Sequence, residues 1–139
     1  MIVKTVSVIG SFRKDNHYLK VTEVINKLKS NDINVLSPDG TEVVDSVDDF
    51  VIFASDDNNL TPNEIEAATL EKILASDIVY VCDVDGYIGR TTAYEIGCCE
   101  VKNKEIYFLE YPMDFEINTP VNILAPDTLV KRLTNNYKK

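Results

Sequence analysis

Three short segments carry side chains that can do chemistry together. The first is Gly10-Ser11-Phe12-Arg13-Lys14, a polar turn ahead of a helical pattern. Its glycine lets the backbone approach an anion closely. N–H groups at a helix start, the Ser11 hydroxyl and the forked Arg13 guanidinium can all donate to a phosphate or carboxylate. The segment is neither a Walker loop nor GxGxxG, and a plain strand-to-helix turn fits the same residues. The second segment, Asp83-Val84-Asp85-Gly86-Tyr87-Ile88-Gly89-Arg90, is a loop with two carboxylates. The third, Thr92-Ala93-Tyr94-Glu95, puts Glu95 in the first turn of a helix, where orphan N–H groups and the helix dipole favour the ionised carboxylate. Such a carboxylate is what a retaining glycosyl transfer uses to attack an anomeric carbon. The same four residues also read as a capping box, so service to the helix start is the plain alternative. Gly97 lies four residues after Ala93 and shares its face, at a cost of about 1 kcal/mol relative to alanine. That face is expected to seat the helix close to a sheet and set Glu95 deep.

The elements that must position these segments alternate along the chain. Val3 to Ile9 reads as a buried strand and about Asn16 to Ser30 as a helix with the stripe Tyr18, Val21, Val24, Ile25, Leu28. Asn34 to Leu36 reads as a short strand closed by Ser37-Pro38-Asp39-Gly40, and Phe50 to Ala54 as a third apolar run. Thr61-Pro62-Asn63-Glu64 is a helix start with a capping box and a proline at the first helical position. Ile78 to Cys82, about Thr92 to Lys102, Glu105 to Leu109 and Pro126 to Tyr137 follow as strand, helix, strand and helix. Alternation of this kind predicts an α/β fold, a flavodoxin-like doubly wound parallel sheet of five strands in a single domain spanning 1–139. Ligands of such sheets bind beyond the carboxyl ends of the strands, which is where all three segments fall.

Composition narrows the partners. The 139 residues carry 14 Lys+Arg against 23 Asp+Glu, a formal net charge of -9. A nucleic-acid surface needs a basic face, so nucleic acid is not expected, whereas one small anion can be held by a few local donors. No apolar run is long enough for a bilayer, and the start Met1-Ile2-Val3-Lys4-Thr5 reads as a strand rather than a signal peptide. A cytoplasmic location is expected by default. Cys82, Cys98 and Cys99 show no CxxC spacing and the only histidine, His17, is distant in sequence, so neither a metal nor a cofactor is expected.

Taken in order, Gly10-Ser11-Phe12-Arg13, Ser76-Asp77-Ile78-Val79-Tyr80-Val81, Asp85-Gly86-Tyr87-Ile88-Gly89 and Tyr94-Glu95-Ile96-Gly97 resemble the nucleoside 2-deoxyribosyltransferase family over roughly residues 3–125. That family includes the 2′-deoxynucleoside 5′-monophosphate N-hydrolases. The resemblance implies that Glu95 forms a covalent glycosyl-enzyme, and that Gly10, Ser11 and Arg13, with Phe12 between them, hold a 5′-phosphate. It implies a loop aspartate at Asp85, with Asp83 open as the alternative, on a loop whose Gly86, Tyr87 and Gly89 line the substrate. Thr119-Pro120-Val121-Asn122-Ile123-Leu124 resembles a family segment whose asparagine enters the neighbouring subunit's site, which makes Asn122 a donor in trans and implies a homodimer or larger homo-oligomer. A loop residue bonding its own backbone is the plain reading of Asn122. Two positions depart from the family: Ser7 stands where a tyrosine is usual, and Thr69 where an aspartate orients sugar and leaving base. Glu66, one turn before Thr69 on the same face, is a substitute for that aspartate.

The expected function is cleavage of the N-glycosidic bond of a (deoxy)nucleoside or its 5′-monophosphate, with the sugar passing to water or to another base. The alternative is a nucleotide-binding sensor that has lost turnover. A flavin-binding module is the third reading, and it lacks a pattern of stacking residues.

Overall fold

The computed structural model describes residues 4–10, 17–38, 43–47, 50–53, 61–113 and 121–135. Four strands, β1 (Thr5–Ile9), β2 (Asn34–Ser37), a strand at Ile78–Val81 and one at Glu105–Phe108, form a parallel sheet. With β3 (Val43–Val47) and β4 (Phe50–Phe53) counted between them, the latter two are β5 and β6, and the sheet order is β2-β1-β5-β6. The inner strands explain their own composition. In β5 every residue is buried, and in β1 all but the half-buried Thr5, because helices cover both faces of a parallel sheet. Val6 lies opposite Val35 on one side and Ile78 on the other.

Alternate residues of each strand serve opposite faces. Val6, Val8, Ile78, Tyr80, Cys82 and Tyr107 pack against α1 (Tyr18–Ser30) and the C-terminal α4 (Pro126–Asn135), through Val21, Val24, Ile25, Leu28, Leu129 and Leu133. Ile9, Val79, Val81 and Phe108 pack against α2 (Pro62–Ala75) and α3 (Arg90–Val101), through Ile73, Ile96 and Cys99. The start of α2 is the capping box expected from its sequence. The Glu64 N–H donates to Thr61 Oγ1 at 3.2 Å, the Thr61 N–H donates to Glu64 Oε1 at 3.0 Å, and Pro62 opens the helix. No helix among the described residues is long and apolar enough to cross a membrane.

Among the described residues the parallel sheet has four strands where five were expected. The third apolar run does not join it: β4 pairs antiparallel with β3, separated by only two residues. A parallel partner needs a crossover of a dozen residues or more, so so short a connection can only make a hairpin. The edge beyond β6 is extended by a single parallel bridge between Phe108 and Ile123. The Phe108 N–H donates to the Asn122 carbonyl and the Leu124 N–H to the Phe108 carbonyl, both at 2.9 Å.

Candidate functional site

After β1 the chain adds β2 on one side; after β5 it adds β6 on the other. The carboxyl ends of β1 and β5 therefore flank the point where strand order reverses, the place at which open α/β sheets form a crevice. Gly10 sits at the end of β1. A Cβ there would lie 2.7 Å from the Cys82 carbonyl oxygen, so glycine is required for β1 to leave the sheet pressed against the end of β5. Its role in the fold is the packing of strand ends. Ser11, Phe12 and Arg13, the other expected anion donors, lie outside the described residues.

The loop after β5 separates its two aspartates. Asp83 is fully buried, and its Oδ1 accepts the Glu110 N–H at 2.9 Å. Its Oδ2 is buried without a hydrogen-bond partner. Burial pushes this carboxyl up to about 7, against the pull of the backbone N–H groups, and the Glu110 charge adds to the rise. Asp85 is exposed and holds a left-handed φ of 59°, and its N–H donates to Glu110 Oε2 at 2.8 Å. Gly86 follows at φ 75°, where a Cβ would lie 2.6 Å from the Tyr111 carbonyl oxygen, and its own carbonyl accepts the Met113 N–H at 2.8 Å. The loops after β5 and β6 are thus latched together. Of the two aspartates, the structure buries Asp83 and turns Asp85 to solvent.

Glu95 is placed differently from expectation. Helix α3 begins at Arg90 with Gly89 at its cap, so Glu95 is the sixth helical residue, beyond the first turn. Thr92 is buried within the helix, and no capping box forms at Thr92–Glu95. The helix start therefore does not hold the carboxylate ionised. Glu95 is only 5% exposed, and burial, followed by a hydrogen bond and charge from Glu66, raises its carboxyl well above the usual carboxylate range. Glu66 is raised by burial and pulled partly back by its hydrogen bond to Glu95. Its Oε1 is buried without a partner. Helices α2 and α3 pack side by side on one face of the sheet. Because α2 ends just before β5 and α3 starts just after it, Glu66 and Glu95 lie toward the carboxyl-end side. Thr69 is half-buried one turn further along α2.

Gly97 also needs correction. It is exposed, and a Cβ there would have nothing within 4 Å, so it does not seat α3 on the sheet. Ser7, at the position of the family tyrosine, is fully buried, and its hydroxyl pairs with that of Ser76, which precedes β5 at the opposite end of the sheet from Asp83. Asn122 has an exposed side chain, and its backbone carbonyl closes the bridge to β6.

His17 was not among the residues expected at the site. It caps α1 at the carboxyl-end side of β1 and is 5% exposed, and its Nδ1 is buried without a partner. Its ring stands edge-on to that of Tyr87, centroids 6.2 Å apart, across from β1 to the β5 loop. The available signal was position: the only histidine in the chain falls directly before the first helix. Among the described residues three buried polar atoms lack partners, on His17, Glu66 and Asp83. Unpaired buried polar atoms cost about 1–3 kcal/mol each. The chain matches no protein-family model and no curated protein.

Proposed function

We propose that this protein cleaves the N-glycosidic bond of a (deoxy)nucleoside or its 5′-monophosphate, with Glu95 as the nucleophile that carries the sugar before water or a second base takes it. The observation that carries the reading is the buried Glu95 carboxyl with the half-buried Glu66 beside it, on the carboxyl-end side of the sheet. A carboxylate in a site closed to water stabilises the positive charge that develops at an anomeric carbon, and it forms an ester there when the base departs. The resemblance to nucleoside 2-deoxyribosyltransferases adds the substrate class, a flavodoxin-like form of the sheet, and a homo-oligomer in which Asn122 completes the site of a neighbouring subunit. Asp83 or Asp85 is the loop carboxylate that such a site uses, and burial with an open oxygen favours Asp83. The net charge of -9 suits a small ligand rather than nucleic acid.

The test is release of free base from a panel of nucleosides and their 5′-monophosphates. Glu95→Gln keeps the side-chain volume and a hydrogen bond to Glu66, so it should fold normally and lose activity by on the order of 10³-fold or more. Near-normal turnover in that variant would remove Glu95 from the mechanism. A nucleotide-binding sensor without turnover is the second reading. It is favoured by burial, which holds the Glu95 carboxyl well above the usual carboxylate range, and nucleotide binding without base release would support it.

A further inference from the structure

The loop after β5 contains a single 3₁₀ turn, Val84–Gly86. The Gly86 N–H donates to the Asp83 carbonyl at 2.8 Å and the Tyr87 N–H to the Val84 carbonyl at 3.1 Å, so the turn can move as a unit. It is tied to the chain leaving β6 by the Glu110 N–H on Asp83 Oδ1 at 2.9 Å, the Asp85 N–H on Glu110 Oε2 at 2.8 Å and the Met113 N–H on the Gly86 carbonyl at 2.8 Å. Two of these bonds run through carboxyl groups, which carry the same sign of charge when ionised. Asp83 is the inner one. It is fully buried and its Oδ2 has no hydrogen-bond partner, whereas Glu110 is exposed. The other titratable groups that bear on Asp83 among the described residues are Tyr80 on β5 and Cys82 just after it. Burial raises both, Cys82 to about 12, so both are neutral at neutral pH. From α1, Lys20 and Glu23 bear on Cys82, and His17 stands edge-on to Tyr87 of the same loop.

We propose that Asp83 makes this latch a pH-dependent one: its protonated side chain holds the two loops together, and its carboxylate drives them apart, releasing the turn that carries Asp85 and Gly86 at the rim of the crevice. The proposal concerns the loops alone and does not depend on the reaction proposed for the crevice. A neutral carboxyl tolerates a dry site, whereas a carboxylate needs several donors, and burying one without them is costly. Oδ2 has none. Water reaches it only when the turn and residues 109–113 part, and parting breaks the Glu110, Asp85 and Met113 bonds together, because each loop holds the other. The Glu110 charge beside the carboxylate adds to the push. On opening, Asp83 gives one proton to solvent and nothing else is consumed. In the closed latch the carboxyl titrates at about 7, and in water at its ordinary 3.8. Opening therefore releases a proton and is favoured by rising pH. The opening constant grows about tenfold per pH unit between about 4 and 7 and levels off above, which makes about 90-fold between pH 5 and pH 8. That factor holds however rare the open form is.

Amide hydrogen exchange, read residue by residue by NMR and divided by the intrinsic rate at each pH, measures this opening. The reference is the Cys82 amide, which donates to the Ile9 carbonyl at 2.7 Å between the ends of β1 and β5 and reports unfolding of the sheet. In wild type, the Glu110 and Met113 amides should exchange faster than that of Cys82 at every pH, and their opening should grow by about 90-fold between pH 5 and pH 8. Asp83→Asn keeps an oxygen for the Glu110 N–H and cannot ionise, so in it the growth should stay below about threefold. Growth in the variant equal to that in wild type overturns the proposal. Exchange at Glu110 and Met113 no faster than at Cys82 also overturns it, because the loops would then part only as the sheet unfolds. Carboxyl ¹³C shifts give a second reading that needs no variant. A midpoint for Asp83 well above its ordinary 3.8 supports the proposal, and a midpoint at 3.8 with the latch amides still protected overturns it.

Discussion

Replacing Asp83 by asparagine should stabilise the protein, increasingly so as pH rises. Asparagine retains an oxygen for the Glu110 N–H, which Asp83 Oδ1 accepts at 2.9 Å, and places an amide where Oδ2 has no partner. The magnitude follows from the ionisation. Burial moves this carboxyl from an ordinary 3.8 to about 7, roughly three pH units, and each unit is worth about 1.4 kcal/mol. The sign follows from which state holds the proton. Between about 4 and 7 the folded protein keeps a proton that the unfolded chain has released, so wild-type stability falls as pH rises through that window and levels off above it. Asparagine has no such proton. The advantage of Asp83→Asn over wild type should therefore grow by about 2–3 kcal/mol between pH 5 and pH 8. Urea denaturation of both proteins at several pH values measures it. Glu66 and Glu95 also titrate upward, but they do so in both proteins and largely cancel in the difference. Parallel stability curves would refute the reasoning, since they would mean that ionised Asp83 is as well solvated in the fold as in the unfolded chain.

Three further substitutions test other parts of the structure by urea denaturation. Gly10→Ala drives a methyl to 2.7 Å from the Cys82 carbonyl oxygen and should destabilise by about 1–3 kcal/mol; an unchanged midpoint would mean that β1 and β5 do not meet so closely. Thr61→Ala removes the hydroxyl that accepts the Glu64 N–H and should destabilise by about 1 kcal/mol. Gly97→Ala adds a methyl to open space and should stabilise α3 by up to about 1 kcal/mol in a free chain. A loss of stability that depends on protein concentration would show instead that a second copy covers that face.

What was legible in the sequence was local. Thr61 to Glu64 announces its helix because the cap, the proline and the reciprocal acid lie within four residues, and the cap and the acid bond each other. β1 and β5 are legible because strands buried on both faces must be largely apolar. The start of α3 was not, because Gly89 caps it with no side chain, while Thr92 and Glu95 imitate a box three residues later. The run at Phe50 to Phe53 looks like any parallel strand until its short connection to β3 is known. Within the site, Glu95 stood out by its neighbours in sequence, but its partner did not. Glu66 is 29 positions earlier, and only the packing of α2 beside α3 brings the carboxyls together. Likewise Asp83 and Asp85 are nearly equivalent as residues, and it is Glu110, from a different loop, that distinguishes them.

The latch between the loops after β5 and β6 also bears on where this chain can change length. Surface connections ordinarily absorb insertions with little penalty. Here Glu110 receives the Asp85 N–H and donates its own to Asp83, while Met113 donates to the Gly86 carbonyl, so each loop sets the other's residue count. An inserted residue on either side slides every donor past its acceptor, and any side chain added at Gly86 collides with Tyr111 and Met113. Length variation in these two loops must therefore arise in pairs, and an engineered graft of the β5 loop onto another scaffold needs residues 109–113 carried with it.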